Sequence, residues 1–140
     1  MTIDEIVAVS GLPGLYKIAG SRSNGMIIED IVTGKSKFAS MRKHQFTPLG
    51  TVAIYTNEDA TEINTVFETI AEQESTNPPP PLATPKPDLF KYFSTILPDF
   101  DRDQVMVSDV KKVIKWYNFL KKHSLFPFDP RSEEGASEEE

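Results

Sequence analysis

The chain has 140 residues, of which 39% are hydrophobic and 26% charged, and its formal net charge is −6 at pH 7. This length fits one ordinary domain or two very small ones and excludes a large multidomain enzyme. The chain contains no cysteine, which excludes disulfides, thiolate nucleophiles and cysteine-ligated zinc.

The N-terminal residues and the hydropathy bear on location. Asp4 and Glu5 stand where a secretory signal would carry basic residues. No apolar run approaches the roughly 20 residues that a membrane span needs. We therefore expect a cytoplasmic protein without a membrane partner.

Charge is segregated along the chain. Residues 31–57 contain four basic residues and no acid, and residues 108–123 contain five lysines and one acid. Five glutamates fall in the last eight residues. Segregation of this kind is typical of a partner-binding surface.

The chain opens with a helix signal followed by a turn signal. Thr2 and Glu5 have the spacing of a capping box, which predicts a short helix that ends before Gly11. Residues 11–14, Gly-Leu-Pro-Gly, predict a turn. They do not fit a phosphate cradle, because the proline lacks an N–H group and no Lys-Ser or Lys-Thr pair directly follows.

Short β-rich runs then alternate with turn residues. The runs cover residues 14–20, 26–32, 35–41 and 51–56, and their spacing predicts an antiparallel meander. A helix over 61–73 closes this part, with apolar residues at helical spacing. We expect an α+β protein whose residues 1–74 form a small antiparallel SH3-like β-barrel with flanking helices.

Successive side chains of the predicted strand 35–41 point to opposite faces of the sheet. Phe38 falls on one face of the strand, and Lys35, Lys37 and Ala39 fall on the other. We therefore expect the two lysines to stand in water on the same face.

A proline-rich linker and a helical part follow. Residues 75–86 are rich in proline, which favours an extended spacer. Residues 87–129 predict a C-terminal helical pair, and residues 130–140 are too acidic and too poor in apolar residues to fold. About 40 residues rarely fold alone, so the pair is expected to pack on the barrel, on a second copy of the chain or on another protein.

The second helix of the pair, from Ser108 to about His123, carries two different faces. Lysines cluster opposite its broad apolar arc. We expect four aromatic residues in and after this helix to be exposed: Trp116, Phe119, Phe126 and Phe128. Such residues supply large contact area in protein interfaces. The predicted partner-binding residues are Lys111, Lys115, Trp116, Phe119 and Lys122.

The sequence contains no set of residues whose types and spacing are typical of a catalytic site. His44 and His123 lie about 80 residues apart, without a carboxylate or nucleophile at a suitable spacing. Asp99, Asp101 and Asp103 alternate like a calcium loop but lack its turn glycine and its final bidentate acid. We expect no catalytic residue, no metal site and no cofactor.

Residues 35–44 form the strongest surface candidate. Four cations, Lys35, Lys37, Arg42 and Lys43, are interleaved with two aromatic residues, Phe38 and Phe46, in a pattern that small barrels use to bind nucleic acid. The other interpretation is that Phe38 is buried in the core and that the lysines protect an edge strand from aggregation.

Four strings of the sequence resemble a family of small bacterial proteins that has no assigned activity: SGLPGLYKI, IEDIVTGK, AIYT and VSDVKKVIKWYNFL. The resemblance covers about residues 3–74 and 87–123. It implies a β-rich N-terminal domain and a C-terminal helical segment in a cytoplasmic bacterial protein. It transfers no catalytic or binding residue.

These observations favour a non-enzymatic binding or adaptor protein. It would contact a macromolecular partner, with a protein preferred, through the barrel surface and the C-terminal helices. The alternative is an RNA- or DNA-binding protein that uses the basic residues of 35–44.

Overall fold

The computed structural model describes residues 2–12, 14–126 and 128, and within them the chain is α+β. It divides into two compact units. The first contains the chain up to Thr51 and again from Phe119 onward, and the second is Val52–Asn118. The predicted acidic tail, 130–140, and the proline of the predicted 11–14 turn lie outside the described residues.

Five antiparallel strands form the sheet of the first unit, in the order β4-β3-β2-β1-β5. The strands are β1 Ile6–Val9, β2 Leu15–Arg22, β3 Gly25–Asp30, β4 Ser36–Ser40 and β5 Phe46–Pro48. The predicted antiparallel meander is confirmed for β2, β3 and β4. Within the described residues no pairing joins β4 to β5, so the expected SH3-like barrel is not confirmed.

The predicted N-terminal helix is present only as one short turn. The capping box of Thr2 and Glu5 forms, but it closes only a 3-10 turn over Ile3–Glu5. The chain then continues as β1, whose β-branched residues favour a strand and which pairs with both β2 and β5. Two ladders of backbone hydrogen bonds therefore outweigh the local helix signal.

One face of the sheet carries a buried apolar cluster. Its buried members are Val7, Val9, Tyr16, Ile28 and Ala39, and partly buried residues such as Phe46 pack against it. Ala39 is 3% exposed, whereas its neighbour Phe38 is 45% exposed on the opposite face. Ala39 therefore belongs to the face that packs in the core, and Lys37 lies on that same face. The interpretation that buries Phe38 in the core is wrong.

The second unit combines a short hairpin with helices. The hairpin pairs β6 Ala53–Tyr55 with β7 Ala60–Glu62, and α1, Ile63–Gln73, follows directly. Its predicted apolar residues Ile63, Val66, Phe67 and Ile70 are all buried. The sequence analysis placed residues 52–74 with the β-rich domain, whereas in the structure they belong to the same compact unit as the following helices.

The remaining helices are α2, Lys86–Ile96, and α3, Val107–Lys122, as the periodicity predicts. Phe100, between them, packs edge-on against Phe93, with ring centroids 5.0 Å apart. The proline-rich segment connects α1 to α2 within this unit. The end of α1 and the start of this segment are bonded to the last turn of α2: Gln73 Nε2 donates to Thr95 O at 3.0 Å, and Asn77 Nδ2 donates to Thr95 Oγ1 at 2.8 Å.

Candidate binding surface

A tight turn connects β3 to β4 and presents the first part of the candidate surface. Asp30 Oδ1 accepts hydrogen bonds from the backbone N–H of Val32 at 2.8 Å and of Thr33 at 3.0 Å. These backbone donors lower the pKa of Asp30, with a smaller contribution from the charge of Lys37. Gly34 completes the turn with φ +78°, a conformation that glycine adopts without steric cost.

A second turn follows β4 and is hydrogen-bonded to Ser10, the residue after β1. Ser40 O accepts the backbone N–H groups of Lys43 and His44, and Ser40 Oγ accepts that of Arg42. His44 Nδ1 lies 2.7 Å from Ser10 O; since a carbonyl only accepts, Nδ1 is the donor. Ser10 also bonds Gln45 through both backbone and side chain. The turn that carries Arg42 and Lys43 is therefore held by local and long-range bonds.

Four exposed cations lie on these elements, and we name them the basic patch: Lys35, Lys37, Arg42 and Lys43. None of the four forms an ion pair with a described residue. The Lys37 ammonium lies 5.7 Å from the ring centroid of Tyr16 and is near enough to Asp30 to affect its pKa. The basic patch thus presents positive charge that the described chain does not neutralise by direct contact.

Exposed apolar side chains accompany the basic patch. Val32 is 67% exposed at the tip of the β3–β4 turn, Met41 is 58% exposed in the next turn, and Phe38 is 45% exposed on β4. The sequence analysis singled out Phe38 and did not consider Val32 or Met41. Their position at turn residues between strands is the signal that would have identified them, since a side chain at a turn tip is rarely covered.

Phe46 is not a second exposed ring. It is half-buried in β5 and packs against the apolar cluster of the sheet. Of the aromatic residues in this segment, Phe38 alone is therefore positioned to contact a partner.

The predicted residues of α3 are distributed between the two units. Lys111 and Lys115 are exposed and Trp116 is half-buried in the second unit, while Lys122 is exposed in the first. Phe119 is half-buried, contacts Gly14, and its ring centroid lies 4.5 Å from that of His123. Trp116 and Phe119 therefore offer less surface than the sequence analysis expected.

Asp101, the middle acid of the segment that resembles a calcium loop, bonds the residues that follow it. Asp101 accepts bonds from Asp103 N at 2.9 Å and from Gln104 Nε2 at 2.8 Å, which lower the pKa of Asp101. The Arg102 guanidinium lies 4.7 Å from the Phe100 ring centroid. No group of three metal-ligating side chains occurs in the described ranges.

The second unit also holds a buried polar cluster. Tyr117 Oη donates a 2.6 Å hydrogen bond to Glu74, and the hydroxyl of Tyr92 is buried without a partner in the described chain. Burial, followed by the charge of Glu74, raises the pKa of Tyr92 to about 12. Burial and the bond to Glu74 raise the pKa of Tyr117 as well.

None of the helices described is both long and apolar enough to span a bilayer.

Comparisons with known proteins follow the same division as the structure. Residues 3–49 match the profile described as Domain of unknown function (DUF5606), and residues 52–120 match that described as Domain of unknown function (DUF6852). No curated protein matches the chain. A solution NMR structure from Bacteroides vulgatus, a structural genomics target, is similar over 91% of each chain, with 28% identity and a TM-score of 0.74.

These matches confirm the resemblance that the sequence strings predicted. The chain joins a β-rich N-terminal part and C-terminal helices, and it matches two adjoining domains of unknown function, DUF5606 and DUF6852.

Proposed function

We propose that this is a non-enzymatic binding or adaptor protein whose first unit contacts a macromolecular partner, most readily a protein, through the basic patch and the apolar residues beside it. One observation carries the proposal. Four cations without an ion-pair partner among the described residues lie beside Val32, Phe38 and Met41, three large apolar side chains that are exposed. Apolar contact area beside unneutralised charge is what a protein interface uses for affinity and orientation.

The helices contribute less to this proposal than the sheet. Trp116 and Phe119 are half-buried, so little of their area remains for a partner. Lys111 and Lys115 on the second unit and Lys122 on the first stay candidates for further contacts, because all three are exposed. We also propose a cytoplasmic bacterial location, supported by the absence of cysteine and by the Bacteroides relative.

We also propose that the sheet is curved like a partly open SH3-like barrel, with β4 at its open edge. It is supported by the strand order, in which β5 returns to pair with β1 after the β2–β3–β4 meander.

The experiment is capture of partners from a native bacterial lysate on the immobilised full chain. The test variant is Lys37→Glu/Lys43→Glu, and the matched control is Lys86→Glu/Lys91→Glu, which changes the same charge on exposed residues of α2. We expect the wild-type chain and the control to retain one protein partner and the test variant to lose it. Equal recovery by all three chains would contradict the proposed surface.

Nucleic-acid binding is the second candidate function. It is favoured by the 45% exposure of Phe38, whose ring is available for stacking beside the basic patch. Binding of labelled single-stranded RNA or DNA should weaken steeply with salt, with a slope of about −0.7 per phosphate contact. Changing all four residues of the basic patch to alanine should abolish it, and a flat titration at low salt would exclude it. Nuclease treatment of the captured material separates this function from protein binding.

A further inference from the structure

The outer edge of β4 presents backbone groups that no described residue bonds. Asp30 N bonds Lys35 O at 2.8 Å, and Met41 N bonds Asn24 O at 3.0 Å, at the two ends of the β3–β4 ladder. Hydrogen-bonded pairs alternate along an antiparallel ladder, so the backbones of residues with odd numbers between 35 and 41 face β3. Those of Ser36 and Phe38 face outward, where no backbone partner occurs in the part of the chain that is described.

The opposite edge of the sheet is less suited to pairing. β5 has three residues, and one of them is Pro48, which lacks an N–H donor. β4 has five residues, of which Ser36, Lys37 and Phe38 are consecutive and exposed. An incoming strand would therefore find its backbone donors and acceptors at β4.

We propose that the edge of β4 binds an extended peptide segment of a partner protein as an added antiparallel strand, and that this segment alternates acidic with apolar residues. The inference rests on the proposed function and specifies the chemistry of the partner. The N–H and C=O groups of Ser36 and Phe38 would form four hydrogen bonds with the peptide backbone.

The alternation of the peptide follows from the two faces of β4. Lys37 lies on the face that carries Ala39, and Phe38 lies on the other face, directly opposite Ile27 of β3. Residues that face each other across an antiparallel pair interact through their side chains. A peptide residue opposite Lys37 is therefore matched by a carboxylate, and one opposite Phe38 by an apolar side chain.

Charge favours an acidic peptide over the other occupants of this edge. A second copy paired through β4 would bring two basic patches together, which like charges oppose. A phosphate backbone supplies acceptors only, so it would leave the outward carbonyls of Ser36 and Phe38 unpaired. An acidic peptide supplies both backbone donors and negative charge.

The probe is a capped, fluorescently labelled heptapeptide in which glutamate and valine alternate, titrated into the full chain. The test variant is Ser36→Pro, which removes an outward N–H without breaking the β3–β4 ladder. The matched control, Ser36→Ala, removes the same side-chain hydroxyl and keeps the N–H. An NMR amide spectrum of each variant shows whether the sheet remains folded.

We expect saturable binding that weakens with salt, a loss of about tenfold or more in affinity for Ser36→Pro, and a change below about twofold for Ser36→Ala. In the wild-type chain, hydrogen exchange at the amides of Ser36 and Phe38 should slow when the peptide binds. A folded Ser36→Pro variant that binds like wild type would overturn the inference. So would the absence of binding up to about 1 mM peptide, or protection only at residues away from β4.

A third measurement separates this inference from the proposed function. If the lysate partner depends on Lys37 and Lys43 but is captured equally by Ser36→Pro, strand addition is wrong and the binding surface stands. If the complex instead proves to be a dimer of the chain or a nucleic-acid complex, the acidic peptide is excluded as the occupant.

Discussion

The ring of Phe38 on β4 lies against Gly25 on β3, so closely that a Cβ atom at Gly25 would stand 2.6 Å from Phe38 Cζ. The same Cβ would also collide with the backbone oxygen of Ala39. Gly25 is therefore required by the close approach of two strands, and it supports the one exposed ring of the candidate surface.

The first prediction concerns this contact. Gly25→Ala should lower the free energy of unfolding by about 1–3 kcal/mol, because a backbone atom cannot move aside cheaply. Gly20→Ala is the matched control in the same sheet, since its Cβ would meet no atom closer than 3.7 Å. Urea unfolding followed by amide signals of β3 and β4 measures both, and equal stability of the two variants would contradict the prediction.

The second prediction concerns the two buried tyrosines. Tyr92→Phe should leave stability unchanged or raise it by up to about 1 kcal/mol, because it removes a buried hydroxyl that lacks a partner among the described residues. Tyr117→Phe should lower stability by about 1–2 kcal/mol, because the 2.6 Å bond to Glu74 is lost. Thermal unfolding of the two variants at pH 7 compares them, and a reversed order would exclude this account of the cluster.

The third prediction is a loss of stability in alkali. The folded-state pKa of Tyr92, about 12, lies above its ordinary value of 10.0, so the protonated hydroxyl favours the folded chain. Its contribution is complete below pH 10.0 and is lost as pH rises towards about 12. The urea midpoint should fall across this window, and it should fall less in Tyr92→Phe. If the urea midpoint of Tyr92→Phe falls with pH as steeply as that of the wild-type chain, groups other than Tyr92 cause the loss of stability.

The fourth prediction concerns the turn before β4. The pKa of Asp30 lies below its ordinary value of 3.8, so its carboxylate stabilises the turn above that pH and stops doing so as pH falls through the lowered pKa. Hydrogen exchange at Val32 and Thr33, corrected for the intrinsic pH dependence, should therefore accelerate in acid. Asp30→Asn, which keeps an acceptor oxygen without a titrating group, should abolish this acid response.

The fifth prediction is that single substitutions in the basic patch leave the stability of the fold unchanged. Lys35→Ala, Arg42→Ala and Lys43→Ala should each change the free energy of unfolding by less than about 0.5 kcal/mol, since none of these exposed cations forms an ion pair with a described residue. Any loss of partner binding in these variants would then be a surface effect. A larger loss of stability would mean that the cation supports the fold.

Helical segments could be predicted well because their signal is local. The spacing of Ile63, Val66, Phe67 and Ile70 predicts α1, and all four side chains are buried. The β-rich runs were predicted for the same reason, since turn residues separate them. The strand Ile6–Val9 was not predicted, because the capping signal before it is local, whereas the strands that pair with it are β2 and the more distant β5.

The candidate surface was predictable only in part. The four cations are evident in the sequence, and the alternation correctly separates Phe38 from Lys37 and Ala39. Alternation does not determine which of the two faces becomes the core. Ala39 is buried because its pairing with β3 places it on the face that carries the apolar cluster of Ile28 and Val7, and that placement leaves Phe38 outside.

The sequence by itself determined the helices α1, α2 and α3, the β2–β4 meander, their approximate bounds and the segregation of charge, because periodicity, turn residues and ionisable groups are properties of short segments. The tertiary structure alone decided that Ile6–Val9 is a strand, that residues 52–74 share a unit with α2 and that β4 pairs with β3 alone among the described strands. Each of these depends on hydrogen bonds or packing between segments distant in the chain, and no local pattern encodes which distant segments meet.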